Sequence, residues 1–209
     1  MVVVTRLMSA LILAFDGILV DTLDIRADAL LASLISHGSP ATRDAVRDAL
    51  PGRSLFESVE RLVGDTDQTL ADLVTLQTQR AISARMAQGV ALATNVRDWI
   101  EARRSAGSRL VLRADSIRRD VELVLEQTDL ALAFSIVRCA DDLPRTRGAS
   151  SLGSAYTAIT RRLDALGVSG PRTAFERGAY ARDGALEYVS HVRVAHDFSL
   201  PSSDISLYP

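Results

Sequence analysis

The chain has 209 residues, 47% hydrophobic and 24% charged, with a net charge of −2. That suffices for one sizeable core, or a core with one inserted module, and excludes nucleic-acid or membrane-surface binding driven by bulk charge. All 24 cationic residues are arginine, which excludes Schiff-base and P-loop lysine chemistry, and a lone cysteine, Cys139, excludes an internal disulfide.

The single thiol suits a reducing compartment, so a cytoplasmic location is expected. His37, His191 and His196 are scattered without metal-ligand spacing. Residues 1–7 precede Met8 as a leader or extension; they lack the basic region and cleavage site of a signal peptide. No stretch is long enough to span a bilayer.

Leu11–Thr22 (Leu-Ile-Leu-Ala-Phe-Asp-Gly-Ile-Leu-Val-Asp-Thr) is an apolar strand ending in an Asp-Gly turn and an acidic, hydroxyl-bearing stretch. A buried parallel strand that delivers polar groups to the ligand-binding edge of a sheet has this form. Helix-period segments follow over residues 23–37, 41–50, 54–62, 67–88 and 95–104, with Ser54 and Glu57 spaced as a capping box. From Arg104 the pattern changes to strand–helix alternation: strands at 109–113, 134–138, 172–176 and 192–195, and helices at 117–127 and 154–166. Asp115-Ser116 reads as the cap of the first of these helices. Residues 198–209 read as a loose tail.

The first stretch resembles the opening motif of the haloacid dehalogenase superfamily, in its β-phosphoglucomutase-like branch, where the pattern is D-x-D-G-x-L-x-D-T. Asp16, Gly17, Leu19, Asp21 and Thr22 match, but Ala14 holds the place of the phosphorylated nucleophile. Arg118-Arg119-Asp120-Val-Glu-Leu-Val-Leu-Glu-Gln-Thr and Ala140-Asp141-Asp142-Leu-Pro144-Arg also follow the family's phrasing. The resemblance implies a Rossmann-like α/β parallel-sheet core over 1–22 and 105–197, with a helical cap inserted at 23–104.

It also fixes, by counting, where the remaining catalytic groups belong. Ala114 stands for the phosphate-binding hydroxyl, Arg147 for the lysine, and Glu176-Arg177 for the carboxylate pair that holds magnesium. A missing carboxylate at 14 and a guanidinium at 177 leave a poor donor set for Mg²⁺, so no metal or cofactor is expected. The whole pattern implies a pseudoenzyme without the family mechanism, acting by binding to a protein partner as an accessory, regulatory or structural subunit.

A second reading keeps Asp16 as an acid/base for a metal-free lyase, isomerase or cyclase reaction on an anionic substrate in the cap–core cleft. Its ligand-binding candidates are Asp16, Arg53, Arg113, Asp115, Arg147, Glu176 and Arg177. The arginines either clamp a small anion or pair with the leftover acids Asp16, Asp21 and Glu176. An active phosphatase or phosphomutase is the least favoured reading.

Overall fold

The computed structural model describes residues 8–64, 68–143 and 150–194. Strand β1 (Ala10–Ala14) has all five residues buried, as a central parallel strand with helices on both faces must. The chain then forms α1 (Leu23–Ser36), α2 (Arg43–Ala49), α3 (Leu55–Val63), α4 (Gln68–Met86) and α5 (Val96–Ser105) before returning to the sheet. Next come β2 (Arg109–Arg113), α6 (Arg118–Gln127), β3 (Ile136–Arg138) and a single 3-10 turn, Ala140–Asp142. The described chain closes with α7 (Ser151–Ala165), β4 (Arg172–Glu176), α8 (Ala179–Leu186) and β5 (His191–Val194).

The five strands are parallel in the order β3-β2-β1-β4-β5. The chain winds to one side of β1, then to the other, so its direction reverses at the carboxyl end of β1, where open α/β sheets bind ligands. Alternation along β1 divides the core. Leu11 and Leu13 pack on the face covered by α5 and α6, and Ala10 and Ile12 on the face covered by α7 and α8.

Helices α1 to α4 pack on one another as the inserted block. Helix α5, placed in the cap region by its position in the chain, lies on the sheet instead, with Trp99 edge-on to Phe175 at a centroid distance of 5.3 Å. Ser54 accepts from the Glu57 amide at 3.3 Å while Glu57 accepts from the Ser54 amide at 2.8 Å, the capping box expected from their spacing.

Three expectations need correcting. Helix α7 begins a turn earlier than 154, because Ser150 caps it by accepting from the Gly153 amide. Helix α8 was not foreseen. Asp115 and Ser116 do not cap α6; its first amide, that of Arg118, donates to Asp141 instead. Arg147, the leader 1–7 and the tail 198–209 lie outside the described residues.

Candidate functional site

The site is built on register. Ala14 pairs with Arg113 on one side, and Leu13 pairs with Phe175 on the other, which puts Glu176 next in line beyond Ala14. Paired residues of a parallel ladder point to the same face, so Arg113, Ala14 and Glu176 form one row across the sheet edge. The Arg113 guanidinium spans that row. Its Nε donates to Glu176 Oε1 and its Nη2 to Oε2, both at 2.7 Å, while Nη1 bonds Asp115 Oδ1. The Tyr156 hydroxyl donates to Glu176 Oε1 at 2.6 Å.

All four of these side chains are buried. Such a cation is retained only with partners, and Arg113 has two. Burial alone would lower its pKa, but Asp115 and Glu176 hold it well above the ordinary value. Burial pushes the Asp115 carboxyl up to about 6 against the pull of Arg113 and Arg26. Burial, with the Glu176 charge beside it, also raises Tyr156. The small methyl of Ala14 leaves room for the guanidinium to reach across to Glu176; a carboxylate there would enter the space Arg113 fills.

Asp16 is equally committed. Gly17, at φ +85°, turns the chain after it, and the Asp16 carboxylate accepts from Thr22 Oγ1 at 2.8 Å and Ser116 Oγ at 2.7 Å. It also accepts from the amides of Asp115 (2.8 Å) and Ser116 (3.0 Å), and Arg26 lies 3.5 Å away. A carboxylate has about four lone-pair sites. Four hydrogen bonds and an ion pair leave Asp16 no free acceptor for a substrate proton.

The other candidates are scattered. Arg177 lies over Gly17, with Nη1 3.5 Å from the Gly17 carbonyl and 3.7 Å from Asp21, and makes no bond to Glu176. Arg53 stacks on Tyr180 at 3.5 Å and bonds the Ala49 carbonyl, away from the row. Ala114 is buried, and its amide donates to the Arg138 carbonyl. Thus Asp16, Arg113, Asp115 and Glu176 come together, Arg177 borders them, and Arg53 does not join them.

Sequence reasoning missed Arg26, Ser116 and Tyr156. Arg26, one turn beyond Thr22 on α1, is a cation on a face that becomes buried; that was a usable signal. Tyr156 looks like an ordinary apolar position of α7 and carried none.

The space enclosed by Asp16, Arg26, Arg113, Glu176 and Arg177 is about 20 Å³, roughly the room for one water. Mg²⁺ requires near-octahedral oxygen ligands, whereas both oxygens of Glu176 face a guanidinium and those of Asp16 face N–H and O–H donors. This donor set does not fit the metal. Among the described residues no group of three or more His, Cys, Asp or Glu is placed to hold one.

Two polar seams join α3 and α4 to helices α7 and α6, which cover the sheet. At the first, Glu57 of α3 accepts from the amide of Ser151 at 2.8 Å and from its hydroxyl, so a cap carboxylate closes the first turn of α7. At the second, Gln79 and Ser83 of α4 each donate to Asp120 of α6 at 2.9 Å. Between the seams lies a cavity of about 530 Å³, within the size range of small-molecule sites.

No protein-family model matches the chain, and no curated protein does. Solved structures do. A haloacid dehalogenase-like hydrolase from Bacteroides fragilis has a TM-score of 0.76 at 16% identity, covering 97% of this chain and 94% of its own. CbbY from Rhodobacter sphaeroides, in complex with phosphate, gives 0.68 at 18% identity, covering 93% and 88%. A haloacid dehalogenase-like family protein from Streptococcus pneumoniae gives 0.69 at 13% identity, covering 92% and 87%. The chain therefore has the α/β, Rossmann-type fold of haloacid dehalogenase-like hydrolases, built on a five-stranded parallel sheet.

Proposed function

We propose that this protein is a catalytically silent member of the haloacid dehalogenase-like group that acts by binding, as an accessory, regulatory or structural subunit. One observation carries the reading: Arg113 bridges both oxygens of Glu176 across Ala14, in the row where the resemblance puts the nucleophile and a magnesium carboxylate. With that cation in place, phosphoryl transfer by the family route has neither a nucleophile nor a metal site.

The repurposed-enzyme reading draws support from the 530 Å³ cavity, but Asp16 is absent from its described lining and is bonded to Arg26, Thr22 and Ser116. Of the residues named for it, Asp115 alone lines that cavity, and its carboxylate is bonded to Arg113. Mg²⁺ calorimetry and a panel of phosphate esters test the silent reading. The expected outcome is no metal binding and no turnover; turnover at an enzyme-like rate overturns it. The partner half of the reading is tested by pull-down from the native cell, and recovery of this protein alone counts against it.

A further inference from the structure

Helix α4 turns an apolar stripe to solvent. Leu73 and Leu76 are 49% and 50% exposed, and Gln77 and Ala84, also exposed, continue the stripe at helical spacing. The outward face of a surface helix normally carries charged and polar groups. Over residues 72–84 the only charges are Asp72 and Arg80.

Those two charges are placed symmetrically. Both side chains are exposed, and neither has an ion-pair or hydrogen-bond partner among the described residues. Each stands four residues from Leu76, one on either side. They therefore lie about 6 Å along the helix axis from that leucine, and within about 40° of its direction. A second α4 laid antiparallel across the first, on a two-fold axis at Leu76, brings Asp72 of each copy to the height of Arg80 of the other. Leu76 then meets the second copy's Leu76, with Leu73 beside it. Two-fold association requires a face complementary to itself, and this spacing supplies one. A parallel copy in register would set like charges against each other.

We propose that this face of α4 binds a second copy of the chain, as an antiparallel helix pair with two-fold symmetry. The leucines supply the apolar contact, and the two Asp72–Arg80 pairs fix its direction and register. The inference goes beyond the function proposed above and does not rest on it, since no residue of the sheet-edge row takes part. Asp72 and Leu76 also line the 530 Å³ cavity, so the second copy stands beside it.

Sedimentation of the full chain over a concentration series tests this. A reversible monomer–dimer equilibrium is expected, with a Kd of about 1–100 μM. Asp72→Arg and Arg80→Glu each turn two attractive pairs into two repulsive ones, and each should weaken the dimer at least about tenfold. The double variant restores both pairs and should dimerise as the native chain does. An equal mixture of the two single variants should form a mixed dimer that neither forms alone. Leu76→Glu places like charges on the axis and should leave only monomer. All three positions are exposed, and the rescue experiments separate a lost contact from a lost fold. A chain that stays monomeric at roughly 500 μM overturns the proposal and leaves the face to a different protein. A dimer that neither charge reversal weakens overturns it too, as does failure of both the double variant and the mixture to restore association.

Discussion

At the scale of single residues, the row Arg113–Ala14–Glu176 makes opposite demands on its members. Replacing Glu176 by Ala leaves Arg113 buried with Asp115 alone, and should cost about 3–5 kcal/mol of stability in urea unfolding; a loss below about 1 kcal/mol would mean that the pair is not structural. Ala14→Asp adds a carboxylate to a lane already filled and should also destabilise, by about 1–3 kcal/mol. Asp115 carries a pH dependence. Its carboxyl is raised from 3.8 to about 6 in the fold, so its neutral form is the one that folding favours. The stability it contributes is fully present below pH 3.8 and is lost as pH rises through about 6. Asp115→Asn, which cannot titrate, should therefore gain on the native chain between those values and hold a constant difference above them. Thermal melts across that window check the sign. The alanine at 14 was legible in the sequence, and so was the prospect of arginine–acid pairing. Which arginine reaches which acid depends on strand register, and a single sequence does not contain it: Arg113, not Arg177, reaches Glu176, and Arg26 lies beside Asp16.

At the scale of elements, Glu57 does two jobs with one carboxylate. It completes the capping box of its own helix and bonds the first turn of α7 in the core. Glu57→Ala therefore breaks a local cap and a long-range seam together. The expected cost is about 2–4 kcal/mol, with faster amide exchange at Ser151, where loss of the cap alone would speed exchange only at the start of α3. The local half was readable from the Ser54–Glu57 spacing. The seam was not, because its partner is 94 residues away. Strands β2 and β4 were read with the bounds the structure gives them, 109–113 and 172–176. Strand β3 starts two residues later than its apolar run, since Phe134 goes to the core from the preceding loop. Helix α8 escaped because Gly184 within it looks like a breaker; the glycine is there because a Cβ would sit 2.5 Å from Leu152.

At the scale of the whole molecule, the fold was the most legible level, because strand–helix alternation and the helical block constrain the topology together. A molecule whose central cation is a side chain should be indifferent to metals. Millimolar Mg²⁺ or EDTA should each move the melting temperature by less than about 1 °C, since a ligand stabilises only the state it binds; a clear upward shift with Mg²⁺ would contradict the donor set described above. Among the described residues no helix is long and apolar enough to cross a membrane.

The span of Arg113 over Ala14 also bears on which sequences are reachable from this one. A nucleophile at position 14 is useless while the guanidinium occupies its lane, and removing the guanidinium first strands Glu176 in the core. Each single step is therefore downhill in fitness for any lineage that needs the folded chain. On the function proposed above, phosphoryl transfer by the family route would require change at 14 and 113 together. The staple acts as a ratchet, and descendants of this chain should vary at their surfaces long before they vary in that row.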